Sequence, residues 1–289
     1  MPEGHRLDPT ILREYDIRGI VPDTLNAAAA RAIGCTFGSI LLDRGGKSAV
    51  VGYDGRLTSP ALEAALVEGL SSTGIGVVRI GLGPTPMLYY AEQTLGVDAG
   101  LMVTGSHNPP QYNGIKLVIG GKPFFAGDIR LLGDRAAAGG FVEGDGAVTE
   151  QSILDNYTAR LLEDFEPGEE PLKVAWDASN GATGEVLRKM TGGLPGFHVL
   201  LNDEIDGTFP AHHPDPTVES NLEQLKLAVA EQGCDLGIAF DGDGDRIGVI
   251  DGLGRVLWGD QLLVILAREV LDDQPGATII ADVKSSRVF

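Results

Sequence analysis

Cysteine is nearly missing: the 289 residues carry two, Cys35 and Cys234, far apart and each in apolar company. That argues against a disulfide scaffold and fits a reducing compartment, with both thiols expected as small packing groups. Positive charge is scarce too, with 22 Lys and Arg against 41 Asp and Glu and a formal net charge of −19. Nucleic acid and anionic membrane are therefore poor partners. A bound phosphate would have to be met by a few locally gathered cations or by a divalent metal. No apolar stretch approaches transmembrane length. Met1-Pro2-Glu3-Gly4-His5 has neither the basic region nor the apolar run of a signal peptide, so a cytoplasmic location is expected. Hydrophobic residues, at 43%, are plentiful enough to bury a large core, and the length fits about two domains.

The pattern along the chain is strand then helix, repeated. After a polar cluster, Glu14-Tyr15-Asp16-Ile17-Arg18-Gly19, an alanine-rich helix runs from about Asn26 to Leu42 and closes at Gly45-Gly46. Ala49 to Asp54 reads as a strand. Ser59 is expected to cap the next helix, with Pro60 at its first position and Leu62, Leu66, Val67 and Leu70 on its apolar face. A strand near Val77 to Ile80 and a helix opening at Thr85-Pro86 follow. Ala99 to Val103 is an apolar run that reads as a buried strand. Ile115 to Ile119 and Lys122 to Phe125 flank Gly120-Gly121 as a hairpin. This alternation predicts an α/β fold with right-handed crossovers on mixed, mostly parallel sheets, in tandem related α/β/α domains.

A helix from about Gln151 to Asp164 leads to a second unit, with strands at Leu172 to Trp176, Phe197 to Leu201 and Leu236 to Phe240. Ser220 and Glu223 read as a capping box and Gly233 as a helix stop. A third start adds a helix near Gln261 to Leu271 and a strand at Ala277 to Ala281. The expected divisions are 1–150, 151–255 and 256–289, the last cut short. Three strands end on an aspartate: Val50-Val51-Gly52-Tyr53-Asp54, Val174-Ala175-Trp176-Asp177 and Ile279-Ile280-Ala281-Asp282. Related units repeated along the chain would explain the echo.

Two loops carry chemistry. Thr104-Gly105-Ser106-His107-Asn108-Pro109 places a serine on a tight loop at the carboxyl end of a strand, the edge where open α/β sheets bind ligands. Asp241-Gly242-Asp243-Gly244-Asp245-Arg246 sets three carboxylates on alternate residues, able to converge where the glycines bend the chain. Three carboxylates that close repel one another unless a cation sits among them. An all-oxygen set calls for Mg²⁺, Mn²⁺ or Ca²⁺. An EF-hand is ruled out, because Arg246 stands where that loop needs glycine and Gly252 where it needs glutamate. Mg²⁺ takes few protein carboxylates and fills its octahedron with water or phosphate oxygens, which implies a phosphate nearby. His212 and His213 are read as part of a structural loop.

Together with Tyr15-Asp16-Ile17-Arg18-Gly19, these loops make the chain resemble the α-D-phosphohexomutases, most closely the bacterial phosphomannomutase/phosphoglucomutase branch. Asp206-Gly207-Thr208-Phe209-Pro210 and His212-His213-Pro214-Asp215-Pro216 add to that resemblance. It implies four domains, the first three related, and a phosphoserine enzyme acting on small-molecule hexose phosphates. Ser106 would carry the phosphoryl group, and Asp241, Asp243, Asp245 and a phosphoserine oxygen would hold Mg²⁺. A hexose 1,6-bisphosphate would be intermediate and activator. Arg18, His107 and Lys116 would surround the serine, Tyr15, Arg18 and Lys284 would meet substrate, and Arg246 would support the metal loop. The end of the third domain and all of the fourth are expected to be missing, so these residues alone are expected to turn over little substrate. Two other classes share the motifs: a metal-dependent phosphoserine phosphatase, and a non-catalytic metal- or sugar-phosphate-binding module. The preferred hexose and the oligomeric state are not legible.

Overall fold

In the computed structural model, residues 4–287 are described. The first sheet and its helices comprise β1 (Ile17–Ile20), α1 (Ala27–Asp43), β2 (Ser48–Tyr53), α2 (Ser59–Ser71), β3 (Gly76–Leu82), α3 (Thr85–Thr94), β4 (Ala99–Val103), β5 (Tyr112–Ile119), β6 (Lys122–Pro123), α4 (Gly127–Ala138) and β7 (Val148–Glu150). The helix α5 (Leu154–Glu163) leads to β8 (Lys173–Asp177), α6 (Gly184–Thr191), β9 (Phe197–Leu201), α7 (Glu223–Gln232), β10 (Leu236–Phe240), β11 (Ile247–Asp251), β12 (Val256–Leu257) and α8 (Gly259–Asp273). No helix among the described residues is long and apolar enough to cross a membrane.

The strand orders are β1-β5-β4-β2-β3-β7, with β6 on β5, and β12-β11-β10-β8-β9. Both sheets are mixed, as expected. Parallel pairing holds the centre, β4-β2-β3 in one and β10-β8-β9 in the other, and antiparallel strands close one side of each. By count, parallel pairs do not prevail: β3-β7 is parallel too, yet β1, β5 and β6 supply as many antiparallel ones. The two centres correspond strand for strand. In each, a loop leaves the carboxyl end of a central strand and returns antiparallel, β4 to β5 and β10 to β11. Those loops carry Ser106 and Asp241 to Asp245.

Helices cover both faces of each sheet, which gives the expected three layers. On one side of the first sheet, Ile33, Phe37 and Ile40 of α1 and Leu66 and Leu70 of α2 bury Val51, Leu101 and Leu117. On the other, Met87, Leu88 and Ala91 of α3 meet Val50 and Met102, together with Tyr157 of α5 and Val186 of α6. That second cluster thus crosses into the following unit. In the second sheet, Leu225 and Val229 of α7 bury one face and Leu187 of α6 the other.

Four local expectations are corrected. Ser59 is the first residue of α2 and not its cap, because its hydroxyl donates to the Asp54 carboxylate. Glu219 to Leu222 form a 3-10 turn and α7 starts at Glu223 with no side-chain cap, so the capping box does not form. Both flanking glutamates accept from Lys226 instead. No strand forms at 277–281: Ile280 is 84% exposed, and no described strand pairs with this segment. Finally, β12 pairs with β11, which puts Val256 and Leu257 in the second sheet and not in a third unit. The sequence patterns also missed β1, which is four residues long, and α4, where two glycines and four charged residues break up the apolar face.

Candidate active site

The two loops touch. Ser106 Oγ donates to Asp241 Oδ2 at 2.9 Å and lies 3.2 Å from His107 Nδ1. Ser106 is 2% exposed and sits at a φ of 48°, a left-handed backbone that residues with a side chain seldom adopt. The turn is fixed from several sides. Ser106 N–H donates to Thr104 Oγ1 at 2.8 Å, Gly105 N–H to Asp54 Oδ2 at 3.0 Å, and Arg18 to Gly105 O and, at 2.9 Å, to Asn108 Oδ1. Arg18 reaches the loop from β1, which pairs with β5 directly behind it. Asp16 holds the other end of its guanidinium.

Carboxylate oxygens of Asp241, Asp243 and Asp245 lie within 4.8 Å of one another. Asp241 and Asp243 are fully buried. Burial, and then the charges of Asp243 and Asp245, push the Asp241 carboxyl up to about 8. At Asp243 burial also opposes ionisation, but the Lys116 ammonium outweighs it and holds the pKa below the usual carboxylate range. Lys116 donates to Asp243 at 2.6 Å and also to Asp245. Burial disfavours its charge, yet these two carboxylates raise its pKa. Thr85, the first residue of α3, donates its hydroxyl to Asp243 Oδ2 and its N–H to Asp243 O. The other Asp243 oxygen, Oδ1, is buried with no hydrogen-bond partner. A buried carboxylate oxygen left bare is costly. With two further carboxylates beside it, that oxygen fits a hard divalent cation such as Mg²⁺.

A cleft of about 1330 Å³ opens over this cluster, lined by Tyr15, Arg18, Ser106, His107, Lys116, Asp245 and Arg246 among others. Burial, and then the Arg246 charge, depress the His107 pKa, which leaves the imidazole neutral at pH 7. Arg246 also donates its N–H to Asp241 at 3.0 Å. Tyr15, 78% exposed, stands at the mouth. Lys284 is not brought to this cleft: it is exposed on a turn made by Asp282 in the irregular segment after α8.

Several site residues escaped sequence reading. Arg56 is 1% exposed and pairs with Asp54 at 3.2 Å. Burial lowers its pKa and Asp54 partly restores it. Thr85 reads in the sequence only as a helix start. The available signal was the aspartate echo, because Asp54, Asp177 and Asp282 each accept from the N–H two residues on, at Arg56, Ser179 and Lys284. His212 and His213 do not join the carboxylate cluster; His212 Nε2 bonds to Asp177 Oδ2 at 2.9 Å. Cys35 and Cys234 are free and buried, as expected. The stretch 206–210 serves the contact between units, with the Phe209 ring 5.1 Å from the Arg56 guanidinium.

Residues 9–136 match the phosphoglucomutase/phosphomannomutase α/β/α domain I, and residues 155–254 match domain II of the same family. A phosphomannomutase/phosphoglucomutase of Pseudomonas syringae pv. tomato is 44% identical over 97% of this chain and 60% of its own length. A phosphoglucomutase of Neisseria meningitidis serogroup A is 40% identical, over 96% of this chain and 61% of that protein. A crystal structure of a phosphoglucomutase/phosphomannomutase family protein from Burkholderia thailandensis superposes with a TM-score of 0.93 at 40% identity, over 97% of this chain and 63% of that one. The chain thus spans about 60% of the length of the curated relatives it matches. With both domain models matched in order and both chemical loops inside them, the chain belongs to the phosphoglucomutase/phosphomannomutase family.

Proposed function

We propose that the protein acts in intramolecular phosphoryl transfer on hexose phosphates, interconverting the 1-phosphate and 6-phosphate of mannose or glucose, with Ser106 as the phosphoryl carrier. One observation carries this reading: a buried serine hydroxyl at the floor of a large cleft, 2.9 Å from one of three clustered carboxylates. Asp241, Asp243 and Asp245 would hold Mg²⁺, which supplies charge to offset that of the transferring phosphoryl group.

The rest falls to side chains. In the forward step the phosphoserine O–P bond breaks and a new one forms to the free hydroxyl of the hexose phosphate, giving a 1,6-bisphosphate. The proton lost by that hydroxyl goes to Ser106 Oγ. In the second half-reaction Oγ takes the other phosphoryl group and its proton passes to the sugar oxygen that the phosphoryl leaves, so the serine ends the cycle phosphorylated again. His107, neutral and 3.2 Å from Oγ, can take a proton there. Arg18 and Lys116 supply fixed positive charge on two sides of the serine, which is most of what phosphoryl transfer asks of a protein. Arg246 backs the metal loop, and Tyr15 meets sugar at the mouth. Since the relatives are longer, turnover is assigned to a protein of their length, and the loading of Ser106 to these residues.

The test is the intact mass of the chain before and after incubation with glucose 1,6-bisphosphate and Mg²⁺. A gain of one phosphoryl group on Ser106, lost in Ser106→Ala, is expected. No gain in a protein of the relatives' full length overturns the reading. Gain followed by steady release of free phosphate would make the protein a phosphatase.

A further inference from the structure

Arg56 does not line the cleft and is among the most buried of the described side chains. Its guanidinium spends four hydrogen bonds on one segment. Nη1 donates to Pro109 O at 2.7 Å and Tyr112 O at 2.9 Å; Nη2 donates to Ser106 O at 2.7 Å and Asn108 O at 2.6 Å. Its partner Asp54 accepts from Gly105 N–H on the other side of the serine. A buried ion pair is no reliable source of stability, since desolvation cancels much of the attraction. What this pair adds is direction.

We propose that Arg56, braced by Asp54, is the positioning residue of the Ser106 loop, holding the serine in its left-handed backbone so that Oγ faces Asp241. The inference rests on the phosphoryl-carrier reading of Ser106. A non-glycine residue at a φ of 48° is strained and persists only where its surroundings over-determine it. Here they do. Asp54 takes Gly105 N–H, Arg18 donates to Gly105 O, Thr104 takes Ser106 N–H, and Arg56 donates to Ser106 O. Arg18 also bonds the Asn108 side chain, but of these anchors Arg56 alone ties down the backbone of the loop's return, at Asn108, Pro109 and Tyr112. The fit is close enough to dictate the neighbouring residue, because a Cβ on Gly105 would lie 2.2 Å from Arg56 Nε. From the second unit the Phe209 ring covers the guanidinium, so the brace also sits where the serine-bearing and carboxylate-bearing units meet.

The same geometry recurs in the second unit with a smaller side chain. Asp177 makes the matching turn, and Ser179, in the place of Arg56, donates to Phe240 O at 2.7 Å, just ahead of Asp241. Each unit thus anchors its chemical loop from the residue two beyond the strand-ending aspartate. The serine loop, which is longer and strained, has the residue with five donors there.

The experiment compares Arg56→Lys and Asp54→Asn with the unchanged chain, using glucose 1,6-bisphosphate and Mg²⁺ as the probe. Loading of Ser106 is followed by intact mass, with the folded fraction from circular dichroism and Mg²⁺ affinity from calorimetry. Because Arg56 orients and does not bind, the maximal loading rate per folded molecule is expected to fall about 10–100-fold. The half-saturating bisphosphate concentration and the Mg²⁺ affinity should stay within about threefold. Folded variants that load at the unchanged rate overturn the assignment and leave Arg56 a structural residue. So does finding both variants unfolded. If the unchanged chain does not load, even at the relatives' full length, the carrier reading fails on its own. Amide exchange over 104–112 then decides on the brace: faster exchange confined to that segment in Arg56→Lys keeps it, and unchanged exchange removes it.

Discussion

Ser106 and Asp241 are 135 residues apart in the chain, and their side chains are hydrogen-bonded at 2.9 Å. The contact follows from the repeat. Both residues sit just past a central strand, β4 or β10, in the loop that returns antiparallel. With the carboxyl edges of two like sheets facing each other, the same loop of each is presented to the other. One supplies a hydroxyl and the other three carboxylates, so neither unit holds the candidate site alone.

Metal binding should therefore be felt by the fold. A ligand that binds only the native state at 100 times its Kd stabilises by about 2.7 kcal/mol. At about 2–4 °C per kcal/mol, saturating Mg²⁺ is expected to raise Tm by roughly 5–10 °C. Asp243→Asn should remove that gain, because it removes the carboxylate whose Oδ1 has no other partner. Asp241→Asn should raise the metal-free Tm, because the Asp241 carboxyl, pushed up to about 8 by burial and its neighbours, has to take up a proton on folding at pH 7, and it should still lose the response. Thermal scans with and without Mg²⁺ check all three. A response intact in Asp243→Asn would place the metal elsewhere.

Thr85 is a test of support from across the units. Its hydroxyl fixes the orientation of Asp243 while the backbone N–H holds Asp243 O. Thr85→Val keeps the shape and the backbone bond. Loss of such an orienting partner lowers metal affinity by about 10–100-fold. Titration calorimetry with Mg²⁺, or Mn²⁺ followed by paramagnetic resonance, measures it directly. An affinity unchanged within a factor of two would mean that Lys116 suffices to orient the carboxylate.

Most strands and most helices could be read from the sequence because apolar periodicity reports burial, and β9 and β10 fall where the pattern puts them. The serine and the aspartates were legible because their residue types make sense only as chemistry. Arg56 was not, since one arginine in a run of turn residues reads as surface charge, and only folding buries it under the serine loop. Thr85 was missed for a related reason: its work is done on a residue 158 positions away. The strand expected at 277–281 had the right composition, but a strand needs a neighbour to bond to, and no described strand offers it one.

His212 and Asp177 give the fold a pH dependence away from the three clustered carboxylates. Burial disfavours the imidazolium, but the Asp177 carboxylate at 2.9 Å outweighs it and raises the His212 pKa above the usual 6.5. A group raised on folding adds stability that is fully present below the unfolded pKa and is lost as pH climbs through the folded value. His212→Asn is thus expected to cost about 1.5–3 kcal/mol at pH 6, the worth of a hydrogen bond to a charged group. The cost should shrink toward pH 9, where only the neutral bond is lost. Urea unfolding at the two pH values reads the difference. An equal cost at both would mean that the imidazole is never charged in the fold.

Gly242 tests the contact between the loops themselves. A Cβ at that position would lie 2.5 Å from Ser106 O, and under 3.0 Å something has to shift. The atom in the way is backbone, and it is the carbonyl that also accepts from Arg56, so it cannot yield without loosening the serine turn. Nor can the metal loop retreat freely, because Gly242 O accepts from Ala182 N–H at 2.9 Å and Asp243 is held by Thr85. Gly242→Ala should therefore part Ser106 Oγ from Asp241 while each unit keeps its own core. Displacement of a reacting group by about 1 Å can cost 100-fold in rate, so loading of Ser106 should fall by at least tenfold. Overpacking of this kind typically costs about 1–3 kcal/mol, which leaves a folded protein to measure. Far-ultraviolet circular dichroism should be unchanged. Loading at the unchanged rate in Gly242→Ala would mean that the 2.9 Å contact between Ser106 and Asp241 is not needed for the chemistry.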